Sequence, residues 1–122
     1  MKGHRVKIIR HLSNGPKMHD VVEFGDLVYV AGMTSDEEGI AAQTRDVLRK
    51  IDEKLAVAGS DKNHILRATI YLRDIAHWKA MNGIWEEWMS TEHAPARATV
   101  EASLARDNLL IEIVVDAVKK RG

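Results

Sequence analysis

The stretch 109–118, Leu-Leu-Ile-Glu-Ile-Val-Val-Asp-Ala-Val, limits what this chain can fold into more than any other. Successive side chains of a strand point to opposite faces. Ile111, Ile113, Val115 and Ala117 therefore share one face, and Leu110, Val114 and Val118 the other, with Glu112 among them. A strand that is apolar on both faces needs cover on both.

The rest of the chain offers two helices for that cover. Val47, Leu48, Ile51, Leu55 and Ala58 recur at three- and four-residue steps and predict a helix over 40–58, stopped by Gly59. On its wet side, Asp46 with Lys50 and Arg49 with Glu53 are ion pairs four residues apart. Asp74 caps a second helix over 75–89, whose apolar stripe is Trp78, Met81, Trp85 and Trp88. Strands are predicted at 6–9, 21–24, 27–31, 65–72 and 96–102, besides 109–118. Gly25-Asp26 makes a type II′ hairpin that pairs Phe24 with Leu27, and Asn14-Gly15-Pro16 makes a turn. In strand 65–72 the alternation puts Leu66, Ala68, Ile70 and Leu72 on one face.

The order is β-ββ-α-β-α-ββ, an α+β chain of 122 residues read as one domain, 1–122. Two helices cover one face of a mixed sheet this size. The other face needs another subunit, which predicts a homo-oligomer with its sheets turned inward.

Composition removes several classes of function. Lys plus Arg and Asp plus Glu are both 18, so no net field draws in nucleic acid or an anionic membrane. There is no cysteine, hence no disulfide, thiolate metal site or cysteine nucleophile. No apolar run approaches the roughly 20 residues of a membrane span. Met1-Lys2-Gly3-His4-Arg5 lacks the apolar stretch of a secretion signal, so the expected location is the cytoplasm. The chain has no phosphate-cradling glycine loop, no His-Glu-x-x-His pair and no Gly-x-Ser-x-Gly elbow. The six histidines are scattered, and neither a metal nor another cofactor is expected.

Two residues remain as candidates for chemistry. Arg97 opens a strand after Pro95, and alternation puts Thr99 and Glu101 on its face. From the pattern alone Arg97 is most simply a solvated or ion-paired edge arginine. If its face borders a cleft, its planar cation is a carboxylate receptor. Glu112, set among aliphatic residues, must be paired, solvated by a pocket or neutralised. It reads as a salt bridge to a neighbouring strand or as a carboxylate that holds water at a cleft. The spacing of Trp78, Trp85 and Trp88 is that of a buried helix face rather than a base-stacking platform. Lys2, His4, Arg5, Lys7, Arg10 and His11 read as the wet face of an edge strand.

Several stretches together resemble the RidA/YjgF/UK114 family over essentially the whole chain. They are Phe24-Gly25-Asp26-Leu27-Val28-Tyr29-Val30-Ala31-Gly32, Leu55-Ala56-Val57-Ala58-Gly59-Ser60 and Ile65-Leu66-Arg67-Ala68-Thr69-Ile70-Tyr71-Leu72. Met81-Asn82-Gly83-Ile84-Trp85, Ala94-Pro95-Ala96-Arg97-Ala98-Thr99-Val100 and Ile111-Glu112-Ile113 complete the set. The detail from Trp85 to Arg97 is most similar to the YoaB-like branch.

The resemblance implies a chorismate-mutase-like α+β sandwich of the bacillary type, two helices on one face of a mixed sheet, and a homotrimer with clefts between subunits. It implies metal-independent hydrolysis of reactive 2-imino acids to 2-oxo acids and ammonia. Arg97 falls on the arginine that grips the substrate carboxylate, Glu112 on the glutamate near the attacking water, and Asn82 on a pocket-lining asparagine. Thr99 replaces a cysteine, and Ala31-Gly32 falls on the Ser-Gly turn after the hairpin. Met18 stands where relatives carry a cleft-lining tyrosine, and it donates no hydrogen bond, which opens a second reading: a binder of small carboxylate metabolites without turnover. Ribonuclease activity, a label attached to part of the family, has little support from scattered histidines and zero net charge.

Overall fold

The computed structural model describes residues 7–121; Lys2, His4, Arg5 and Val6, named above, lie outside them. The first strand, β1 (Ile8–Asn14), turns back through Gly15 into β2 (Met18–Phe24). Gly15 has φ 68°, a conformation that other residues resist. Both strands run further than the hydrophobic pattern predicts, as far as the pair Asn14↔Met18. Leu12 sits at φ 57° and breaks the alternation, so the polar end of this edge strand carries no period-two signal.

β2 pairs with β3 (Leu27–Met33) in the expected register, Phe24↔Leu27. Gly25 has φ 61°, and Asp26 does not share a positive φ, which is the II′ geometry. The helix α1 (Gly39–Val57) buries Val47, Leu48, Ile51 and Leu55. Each such aliphatic contributes about 1.5–3 kcal/mol by leaving water. The Ser60 N–H donates to Leu55 O and the Gly59 N–H to Ala56 O, with Gly59 at φ 73°: a Schellman stop. The wet-side pairs Asp46–Lys50 and Arg49–Glu53 form, at 3.6 and 2.6 Å.

β4 (Ile65–Leu72) occupies the predicted residues but departs from the predicted face. Its pairing with β6 slips between Ile65 and Arg67, so Ile65 is buried and Leu66 is 48% exposed. A bulge adds one residue and flips the alternation before it. A 3-10 turn capped by the Asp74 side chain leads into α2 (Trp78–Trp88). Met81 and Trp85 are buried as expected, but Trp78 is exposed and Ile84 takes the core position instead. Trp78 is the first residue of the helix proper, and at that end the stripe runs out past the core into solvent.

β5 (Ala96–Glu101) runs parallel to β4, and β6 (Ile111–Val118) lies between β3 and β4. The described residues thus make a six-stranded mixed sheet in the order β1-β2-β3-β6-β4-β5, with the helices on one face. Ile111, Ile113, Val115 and Ala117 are buried beneath the helices, while Val114 and Val118 on the opposite face are only half-buried. That open face also carries Phe24 and Tyr29, both exposed.

The loop entering β6 is pinned by side chains. Buried Gln43 donates to Asn108 O at 2.9 Å and accepts from Leu110 N–H at 2.8 Å. Arg73 Nε donates to Leu109 O at 2.7 Å. These bonds fix where β6 begins, and hence where Glu112 sits. Among the described residues, no helix is long and apolar enough to cross a membrane.

Candidate functional site

Pro95 brings the chain into β5, where Arg97 pairs with Ala68 of β4. Ala68 is fully buried on the helix side, so Arg97 and Thr99 also face the helices. The guanidinium carbon of Arg97 lies 5.3 Å from the centroid of the Trp85 ring. That ring is held in turn by Trp88, with centroids 5.4 Å apart and a tilt of 59°. Arg97, Asn82, Trp85, Glu86 and Pro95 line a cavity of about 450 Å³.

Arg97 is half-buried, and among the described residues no carboxylate lies within ion-pair distance of it. Burial pushes its pKa below the ordinary arginine value and the charge of Glu86 opposes that shift. The group stays cationic at any working pH. Asn82 Nδ2 donates to Glu86 Oε2 at 2.9 Å. Thr99 Oγ1, on the same face of β5, is buried without a hydrogen-bond partner. A half-buried cation with no ion-pair partner is a receptor for an anionic group; Thr99 Oγ1 is closed off from the cavity.

The other predicted residues gather elsewhere. The β3–β6 register shifts between Val30 and Met33, and Ala31-Gly32 lie in that irregular stretch. Glu112 lies against Gly32: a Cβ added there would stand 2.8 Å from the Glu112 carboxyl carbon. Gly32 does not have a positive φ, so the position needs space rather than backbone freedom. Met18 and Gly32 line a second cavity of about 290 Å³ with Asp20, Lys50 and Lys54. Lys54 pairs with Asp20 at 3.5 Å, and Lys50 Nζ donates to Thr34 O at 2.7 Å, so those lysines are already engaged. Glu112 makes no ion pair among the described residues, which removes the salt-bridge reading of its place in the strand.

One chain thus holds two separate groups, Arg97 with Asn82 and Thr99, and Glu112 against Gly32, while Met18 lines the second cavity, of which Glu112 and Ala31 form no wall. Glu112 pairs with Tyr71 and Arg97 with Ala68; since Ala68 and Tyr71 are three apart on β4, Arg97 and Glu112 point from opposite faces of the sheet. Two residues beside Arg97 escaped the sequence reading as parts of a site. Trp85 reads as core, and it is core, yet it also presents a ring face to Arg97. Glu86 had a signal in its spacing, four residues after Asn82 on one helix face.

The family model described as Endoribonuclease L-PSP matches residues 12–119. The chain belongs to this family, known also as RidA/YjgF/UK114. A family member from Haemophilus ducreyi, described as a RutC family protein, is 40% identical over 103 residues, covering 83% of this chain and 88% of its own. The RutC family protein YoaB of Escherichia coli is 38% identical over 99 residues, covering 80% and 87%. The crystal structure of a YjgF-family protein from Neisseria meningitidis superposes with a TM-score of 0.93 at 42% identity, covering 98% of this chain and all of its own. The L-PSP family fold therefore extends through both groups of site residues.

Proposed function

We propose that this protein hydrolyses reactive 2-imino acids to 2-oxo acids and ammonia, in clefts formed where the subunits of a homotrimer meet. The observation that carries the proposal is Arg97: a half-buried cation braced on Trp85, facing a cavity, with no carboxylate of its own among the described residues. A protein that leaves such a charge unpaired forgoes stability unless a ligand completes it. The uncovered sheet face, with Phe24 46% and Tyr29 41% exposed, supports assembly. Assembly lets Arg97 of one copy and Glu112 of the next border one cleft, although they diverge within a chain.

In the proposed reaction Arg97 grips the carboxylate in a bidentate pair and orients the C=N carbon. A protonated imine is already a strong electrophile. Glu112 steers water to that carbon and takes up a proton from it. Glu112 returns that proton to the carbinolamine nitrogen; the C=O bond forms as the C–N bond breaks and the hydroxyl gives up its proton, which the departing ammonia carries away as ammonium. Positioning and acid–base assistance on the order of 10²–10⁴-fold from each group suffice, because the uncatalysed reaction is quick.

The test is release of 2-oxo acid from imines generated in situ by an amino-acid oxidase. Arg97→Ala abolishes the enhancement while the oligomer stays intact; full activity in that variant would remove the clamp. A second reading, a carboxylate binder without turnover, draws on Met18, whose thioether lines the second cavity in place of a hydroxyl. Binding of 2-oxobutanoate with no imine hydrolysis would favour it. The ribonuclease named in the family description draws less support. His11 is bonded to Glu23, His64 to Asp61 and His93 to Ser90, so these histidines are engaged within the fold.

A further inference from the structure

Glu86 follows Trp85 on α2, and its side chain lines the same cavity as the Arg97 guanidinium. It accepts the Asn82 bond at 2.9 Å but does not close onto Arg97 as an ion pair. A cation and an anion therefore stand on the walls of one cavity without contact. Such an arrangement neutralises poorly, but it matches a small molecule that carries both charges itself.

A protonated 2-imino acid is such a molecule, with a carboxylate and an iminium group on adjacent carbons. Its product is not: the balanced reaction, iminium carboxylate plus water to 2-oxo acid plus ammonium, leaves a plain anion at the arginine. We propose that Glu86 is a specificity-determining residue that draws in the iminium end of the substrate and disfavours the anionic 2-oxo acid product. This rests on the imine-hydrolase reading of the Arg97 cavity and assigns a role to a carboxylate that reading leaves idle. The negative charge attracts the substrate nitrogen, lowers the positive potential at Arg97 felt by a bare anion, and so helps release product.

The experiment uses the intact oligomer of Glu86→Gln, with Asn82→Ala as control. The substrate is 2-iminobutanoate made in situ by an amino-acid oxidase; the inhibitor is 2-oxobutanoate. Loss of the charge should raise KM for the imine about 3–10-fold and tighten inhibition by the oxo acid by a similar factor, the size expected of a partly screened charge interaction. The opposite signs are diagnostic, since a residue that merely holds Asn82 or Arg97 in place would weaken both ligands together. Asn82→Ala should weaken both; if it reproduces the split, the discrimination belongs to Asn82 and the inference is overturned. If the wild type turns over imine while Glu86→Gln shifts both constants the same way, or neither, the Glu86 role fails and the imine-hydrolase reading stands. If the wild type neither hydrolyses the imine nor binds 2-oxobutanoate, both fail.

Discussion

Arg97 and Trp85 are joined through the ring face of the indole, with the guanidinium carbon 5.3 Å from its centroid. Trp85 is 5% exposed, so the surface that orients the arginine is also part of the core. A cation–π contact of this kind contributes about 0.5–2 kcal/mol. Trp85→Leu should lower the free energy of unfolding by about 2–4 kcal/mol, as large-to-small core changes do. It should also weaken 2-oxobutanoate binding, whereas Trp85→Phe keeps a ring face and most of the affinity. Denaturant titration and calorimetry check the two effects separately. A leucine variant with native affinity would show that the ring does not position Arg97.

Gly32 tests Glu112 without touching it. An alanine there meets the end of the Glu112 side chain, a group that can rotate away, and the backbone at Gly32 is not strained. Gly32→Ala should therefore cost about 1–2 kcal/mol in stability, the lower part of the overpacking range, because the side chain it meets can move. It should nevertheless slow imine hydrolysis much as Glu112→Gln does, with KM changed less than kcat. A melting temperature and a Michaelis curve from one preparation settle the point. Native kcat in Gly32→Ala would show that the placement of Glu112 is irrelevant to turnover.

Acid should weaken the fold through Glu23. This carboxylate is 5% exposed and accepts bonds from Lys119 at 2.7 Å and His11 at 2.6 Å. Burial alone would raise its pKa, but the bonds to Lys119 and His11 together outweigh burial and hold it below the ordinary value of 4.5. A carboxylate with a depressed folded pKa contributes stability that is complete above its unfolded pKa and is lost as pH falls through the folded one. Glu23→Gln should be about 1–3 kcal/mol less stable at neutral pH, the size of hydrogen bonds to charged groups. It should lose less stability on acidification than the wild type does. Parallel slopes below pH 4.5 would contradict this.

The hairpin at Gly25, the helix ending at Gly59 and the two-faced last strand are all legible in the residues, because each rests on local backbone chemistry or on a long apolar period. The bulge that exposes Leu66 is not, since a one-residue slip is decided by pairing with a strand some fifty residues away in the chain. Trp78 misleads for a different reason: it keeps the helical spacing but stands at the first residue of the helix, beyond the reach of the core. Arg97 and Glu112 stand out in the sequence as a fixed cation and a misplaced carboxylate. Their divergence onto opposite faces does not, because it follows from the registers in which β5 and β6 pair with β4, Arg97 against Ala68 and Glu112 against Tyr71.

The central claim is that Arg97 and Glu112 act on one substrate from different copies of the chain. Arg97→Ala and Glu112→Gln chains, each nearly inactive alone, can be co-expressed with distinct tags and assayed for imine hydrolysis as mixed oligomers. Equal mixing in a closed three-fold ring leaves about a quarter of the clefts with both native residues, and activity should recover to about that fraction. Activity no higher than the average of the two variants alone would contradict the account.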